Sequence, residues 1–214
     1  MHLGEKATAI TRNPLKSLMI SNRHTPPLSY PPSILVLALV SVVTLPPRAG
    51  AQEMNKPHAV GVTVQAYPAG ILLAARASLP IRARSTLTAH AAHNFTDRRD
   101  FGEHDNEDGG GPGFGLAFRR YLGARYEGVH LGVRADLWFL EIDWQDDAPR
   151  RSGTTNIVVL QPTAQAGYTR TVANGRLVLE ATVALGVEIN IDTQGEAVGE
   201  GAILLGGLAM AYRL

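Results

Sequence analysis

The chain has 214 residues, room for one domain with a sizeable core, and a formal net charge of +1. Residues 1–51 hold five of the 20 Lys+Arg and one of the 19 Asp+Glu, so the remainder is net −3, which is no electrostatic footprint for nucleic acid. With no cysteine at all, disulfides, thiolate metal sites, cysteine nucleophiles and a lipid anchor on a cysteine are excluded.

The N-terminus reads as an export signal. Basic residues (Lys6, Arg12, Lys16, Arg23) precede a thirteen-residue apolar run at 33–45, too short for a transmembrane helix, which needs about 20 residues. Ala49-Gly50-Ala51 follows with the small-x-small pattern of a cleavage site, so the expected signal is 1–51, cleaved after Ala51, and the mature domain is 52–214, starting at Gln52. The basic region is unusually long, which makes Met19 a second candidate for the start alongside Met1.

Beyond the signal no segment sustains a 3.6-residue apolar stripe; a period of two appears instead. In chain order it runs from Val60 to Ala66, Ile71 to Leu79, Arg84 to Ala91, Phe114 to Arg119, Val129 to Leu137, Val158 to Tyr168, Leu177 to Asp192 and Leu204 to Leu214, which predicts eight strands. The seventh is the clearest. Its odd positions, from Leu177 to Ile191, are all aliphatic, whereas the even ones include Glu180, Thr182, Gly186, Glu188 and Asn190. Successive side chains of a strand point to opposite faces, so one face is greasy and the other polar or small. Asn174-Gly175 is the strongest two-residue hairpin signal, because both central residues must take positive φ. The connections at 79–82 and 122–125 are equally tight. Between these fall longer polar connections at 97–113, 145–153 and 193–201, and a short one around Pro68-Ala69-Gly70. Tight turns at one end and longer loops at the other is the arrangement of outer-membrane barrels.

Alternation alone does not say which face meets water. Residues 177–192 alternate over sixteen positions, which at about 3.3 Å per residue and 45° of tilt rises roughly 35 Å, beyond the reach of ordinary soluble strands. The polar face is rich in Gly, Ala, Ser and Thr, as a narrow lumen demands. Most aromatics (Tyr67, Phe95, Phe114, Tyr121, Tyr126, Trp144, Tyr168, Tyr212) fall near strand ends, where interfacial girdles belong. The expected fold is all-β, an eight-stranded antiparallel up-and-down transmembrane barrel.

The C-terminal "LAMAYRL" resembles the assembly signal of Gram-negative outer-membrane barrels: alternating apolar residues Leu208 and Met210, an aromatic (Tyr212) third from the end, and a hydrophobic terminus, Leu214 where that family usually carries Phe. Length and strand number are similar to the small OmpA- and OmpX-type barrels over residues 57–214. The resemblance implies an outer-membrane location, contact with outer-membrane lipid and delivery by the barrel-assembly machinery, and it implies no activity.

With the aliphatic face outward, Arg76, Arg84, Arg119, Arg134, Asp136, Glu180 and Glu188 point into a lumen just wide enough for side chains. Charges in so tight a space must be paired, so these residues are expected to plug the barrel with ion pairs and to deny it porin-like conductance. A proton or small-ion path is the functional alternative for the same residues.

The stretch 97–113 packs six carboxylates, one histidine and five glycines into seventeen positions. It reads as a solvated surface loop between strands three and four, flexible through its glycines and wet through its charge. A second reading is a calcium site, since Asp100, Glu103, Asp105, Asn106, Glu107 and Asp108 carry the hard oxygen ligands that calcium prefers, although their spacing is not that of an EF-hand. A third is an outer-membrane enzyme using His93, His104 and Asp105, for which composition supplies material but no geometry. The glycine run 109–115 lacks the Lys-Ser/Thr ending of a phosphate loop.

The functional expectation is a non-enzymatic integral outer-membrane protein with a structural or surface-binding role, the acidic stretch being its candidate cation or partner site and calcium its only candidate cofactor. The alternatives are an outer-membrane lipid or peptide hydrolase and a soluble periplasmic lipocalin-like barrel, whose cavity Val183, Leu185 and Leu208 would line.

Overall fold

The computed structural model describes residues 58–99, 102–123 and 126–214; the expected signal 1–51 and its cleavage point lie outside the described residues. Eight strands follow one another: β1 (Ala59–Tyr67), β2 (Gly70–Arg82), β3 (Ser85–Arg99), β4 (Asn106–Tyr121), β5 (Gly128–Asp147), β6 (Arg150–Val172), β7 (Leu177–Gln194) and β8 (Gly201–Arg213). Each pairs antiparallel with the next, and β8 returns to β1 from Ala59↔Arg213 to Ala66↔Gly206. The ring is closed, so the sheet has no exposed edge.

The period of two resolves as the alternation predicts. Val183 and Leu208 are 57% and 69% exposed on the outer face, while Thr86, Thr88, His90, Asn94, Thr163 and Gln165 are buried inside. A barrel that folded in water would bury the first set and expose the second. This is the transmembrane form, and the greasy cavity expected of a lipocalin-like alternative does not form, because Val183, Leu185 and Leu208 all face outward. The outward apolar run of β7 from Leu179 to Ile191 rises about 28 Å at about 3.3 Å per residue and 45° of tilt, enough to cross an apolar band of about 25 Å.

The longer connections are a correction. Strand β3 runs on to Arg99 and β4 begins at Asn106, with Asp97↔Asp108, Arg98↔Glu107 and Arg99↔Asn106 in register, so most of 97–113 is hairpin and not loop. The stretch 145–153 is likewise strand, with Asp146↔Arg151 and Asp147↔Arg150 facing each other. The glycines serve strand geometry rather than flexibility. Gly109 and Gly110 take φ near +153° and +150°, and a Cβ on either would meet a backbone oxygen of a neighbouring strand, Glu141 or Asn94. Only a residue without a Cβ lets β4 pass there.

The physical reason the hairpins continue lies on β5. Leu137 and Phe139 point outward, but from Glu141 the outward residues are Glu141, Asp143 and Gln145, while Trp138, Leu140, Ile142 and Trp144 point inward and are buried. The sense of the alternation inverts with no change of register. Below the inversion the wall is built for lipid. Above it the wall is built for water, around a small apolar core that Ile157, Val159, Val198 and Ile203 complete. Trp144, expected at the interfacial girdle, belongs to that core; Tyr121 is also inside, whereas Phe95, Tyr168 and Tyr212 lie outside on the lipid-facing wall.

At the other end β2 and β3 are joined by two residues, 83–84, so the turn expected at 79–82 falls later and 79–82 is strand, and β6 and β7 are joined by four, 173–176. The 172–176 turn is centred one residue earlier than its Asn-Gly suggests: Ala173, Asn174 and Gly175 all have positive φ, and Gly175 N donates to Val172 O.

Candidate functional site

The lumen is filled in layers, each set by the period-two rows of inward side chains. Nearest the turns, Arg76 of β2 makes a two-pronged pair with Glu180 of β7, Nη1 to Oε1 and Nη2 to Oε2 at 3.0 Å each. Arg119 of β4 donates to the same carboxylate at 2.8 Å. All three are buried. One layer up, Arg134 and Asp136 of β5 pair at 2.5 Å, Asp136 also takes the His90 Nε2–H at 2.6 Å, and Arg134 reaches across to Gln65. Space for this layer comes from Gly115, where a Cβ would lie 2.0 Å from Asp136 Oδ1 and 2.7 Å from the His90 ring. Above it Trp138, wholly buried, donates its indole N–H to Gln161 at 2.5 Å and begins the apolar core.

The far end is closed by a second charged group. Arg98 donates to Glu107 directly opposite on the β3–β4 hairpin at 2.7 Å, and to Glu188 of β7 at 3.3 Å. Glu107 is the anchor of the cap: its Oε1 accepts the backbone N–H groups of Glu103 and Gly199 at 2.9 and 3.1 Å, and that of His104 at 3.3 Å. The connection 195–200 thereby folds into the barrel mouth and buries Val198. The space left beneath, lined by Tyr67, Arg98, Glu188 and Val198 among others, is about 10 Å³, room for about one water molecule.

At the rim His104 lies flat on Trp144, ring centroids 4.1 Å apart, with Nδ1 3.0 Å from Asp146 Oδ1 and Nε2 2.9 Å from Ala197 O. Asp146 also accepts from Arg151 at 2.8 Å, and Asp105 takes the Asp147 N–H at 2.7 Å. The three hairpin ends are therefore tied to one another.

Of the expected lumen charges, the structure brings Arg76, Arg119 and Glu180 into one cluster, Arg134 and Asp136 into a second, and Glu188 into the cap. Arg84 is a correction. It sits in the β2–β3 turn with φ 67° and is exposed, because β2 ends at Arg82, β3 begins only at Ser85, and the inward row of β3 starts at Thr86. The calcium candidates do not converge: Glu107 points inward onto Arg98, Asp108 lies exposed on the outer wall, and the Asp105 carboxylate caps the β5–β6 turn. Glu103 is exposed, and Asp100 lies outside the described residues. Among the described residues no group of three His, Asp or Glu side chains is arranged to hold a metal ion. Of the catalytic candidates, His93 lies on the outer face against Phe95, away from the rim, and His104 pairs with Asp146 rather than Asp105 and sets its Nε2 against Ala197 O.

Sequence reasoning missed Arg98 and both tryptophans as lumen residues. The signal was present: Thr86, Thr88, His90, Asn94, Thr96 and Arg98 continue one polar row at even positions through what looked like a loop.

At the turn end, Glu127 Oε1 accepts the Thr171 N–H at 2.9 Å. That bond, opposed by partial burial and helped by the charges of Arg213 and Arg170, holds the carboxyl below the usual carboxylate range. A carboxyl depressed in the folded state contributes stability above its unfolded pKa and loses it as pH falls through the folded value. The Thr171 amide resonance is therefore expected to titrate with a midpoint below that of an ordinary Glu, about 4.3; a midpoint at or above it would contradict this assignment.

No protein-family model matches the chain, nor does any curated protein sequence. Among solved structures the chain is similar to the N-terminal β-barrel domain of Pseudomonas aeruginosa OprF, with TM-score 0.42 and 12% identity over 74% of this chain and 98% of that one. It is similar to Neisserial surface protein A (TM-score 0.45, 10% identity, 74% and 95% covered). It is also similar to Ail, the attachment invasion locus protein of Yersinia pestis, solved with the heparin analogue sucrose octasulfate (TM-score 0.43, 10% identity, 74% and 97% covered).

Proposed function

We propose that the chain is a plugged outer-membrane barrel, an integral membrane protein with a structural or surface-binding role and no enzymatic one. In this reading the tight turns face the periplasm and the β3–β6 extension stands outside the cell. The assembly machinery reads Leu208, Met210, Tyr212 and Leu214, which present their side chains outward along β8 and just beyond it. The observation that carries it is a lumen packed from end to end by ion pairs, an apolar core and an inserted cap, inside a wall whose outer face is aliphatic. A wall built for lipid needs a membrane, and a lumen filled by side chains passes no porin-sized solute. The contact surface that remains is the rim of 102–105, 146–151 and 195–200, held rigid by Glu107, His104 and Asp146. Rigid placement of exposed polar groups lowers the entropy lost when a partner docks.

The test is conductance. The whole chain inserted into a planar bilayer is expected to give no stable large openings, and reproducible porin-like steps would overturn the plugged reading.

A further inference from the structure

The two ends of the barrel carry opposite charge. On the rim side the exposed groups are dominated by Asp97, Asp108, Glu141, Asp143, Asp192 and Glu200. On the turn side Arg82, Arg84, Arg120, Arg170 and Arg176 are exposed, with Glu127 as their acidic neighbour near Arg170. Three of the arginines form one corner. Arg82 pairs in register with Ser85, and Ser85 with Arg120, so Arg82 and Arg120 flank β3 in a single row across three strands. With neighbouring strands about 4.8 Å apart, their Cα atoms are about 10 Å apart, and two long arginine side chains on that span reach a common anion. Arg84 belongs to the same corner, since its carbonyl accepts the Tyr121 N–H at 2.8 Å. Among the described residues no carboxylate pairs with any of the three guanidinium groups, in contrast to the buried arginines, each of which has one.

Their height on the wall identifies what they meet. On β4 the outward column reads Leu116, Phe118, Arg120, and on β2 the outward Leu79 and Ile81 are followed by Arg82. Each arginine therefore stands one step past the lipid-facing band, at the level where a bilayer places its phosphates.

We propose that Arg82, Arg84 and Arg120 form a binding site for the phosphodiester headgroup of an anionic phospholipid in the leaflet on the turn side. The inference rests on the membrane reading above. Guanidinium groups donate two parallel hydrogen bonds to a phosphate, and this corner offers three that pair with no carboxylate among the described residues.

The test is lipid selectivity measured by electron spin resonance. The whole chain is reconstituted in phosphatidylcholine vesicles with trace spin-labelled phosphatidylglycerol or spin-labelled phosphatidylcholine, and the fraction of motionally restricted probe is compared. The wild type is expected to restrict phosphatidylglycerol with about fivefold preference at low ionic strength, the effect of about one arginine near a charged surface, and to lose that preference in high salt. The triple variant Arg82→Gln, Arg84→Gln, Arg120→Gln is expected to restrict both probes equally, the corresponding triple lysine variant to retain most of the preference, and Arg99→Gln at the rim end of β3 to leave it unchanged. If the triple variant does not insert, Arg120→Gln alone carries the comparison. Equal restriction of the two lipids by the wild type, or preference undiminished in the glutamine variants, would overturn the site. Absence of a restricted component for either lipid would instead overturn the membrane reading beneath it.

Discussion

Replacing Glu180 by leucine is expected to destabilise the lipid-inserted barrel by about 3–5 kcal/mol, because it strands two buried guanidinium groups. Arg76 and Arg119 both take their counter-charge from this one carboxylate, at 3.0 and 2.8 Å, and all three side chains are buried. Removing one arginine is a milder event, since Glu180 keeps the other. The triple replacement Arg76→Met, Arg119→Leu, Glu180→Leu should restore most of the loss, as apolar groups of similar volume commonly equal or exceed a buried ionic cluster. Denaturant titration in vesicles reads this through the two tryptophans, Trp138 and Trp144, both of which are buried inside the barrel. A single variant as stable as the wild type would mean that water reaches the cluster and screens it, and the plugged lumen would then be in doubt.

The second large effect concerns the cap. Glu107→Ala removes the acceptor for Arg98 and for the N–H groups of Glu103, His104 and Gly199 together. Connections 102–105 and 195–200 are then released while the membrane-embedded wall below them is untouched. Leaving these donors unmade is expected to lower the local opening free energy by about 2–3 kcal/mol, roughly a 30- to 150-fold rise in hydrogen exchange at Gly199. Exchange in β7 and β8 within the apolar band should stay as it was. Asp143→Asn, on the outward side of the same extension and accepting from Thr154 at 2.5 Å, serves as the control. Unchanged exchange at Gly199 would show that Val198 packing, not the carboxylate, holds the cap.

Both effects concern residues whose importance was unequally visible beforehand. Glu180 stood out as a charge on the polar face of the longest alternating run. Glu107 did not, since it lay in a stretch so rich in acid and glycine that solvation was the natural reading. The two cases differ in what surrounds them. Glu180 lies within sixteen residues of alternation, 177–192, whereas the row that contains Arg98 is followed by six residues, 100–105, between β3 and β4. Glycine at 109–111 looks the same whether it loosens a loop or lets a strand pass a neighbouring backbone. Only the register with Asn94, Phe95 and Thr96 distinguishes them. The inverted alternation from Trp138 to Gln145 was legible in principle: apolar residues at even positions following apolar residues at odd ones mean a wall that leaves lipid and enters water.

Strand number and the division of each strand into an aliphatic and a polar face are properties of a period of two. That period is local, because a side chain's face depends only on its position along its own strand. The amino-acid sequence by itself therefore determined an eight-stranded barrel with an aliphatic exterior and a charged interior. Which charge meets which is not local. Arg76 and Glu180 are 104 residues apart, and Arg98 and Glu188 are 90 apart. Their meeting depends on the closure of β8 onto β1 and on the stagger of every strand between. The tertiary structure alone decided the Glu107 anchor and the inserted 195–200 cap, because each arises where strands distant in the chain end at the same height on the ring, while the arginine corner arises from the register of the consecutive strands β2, β3 and β4.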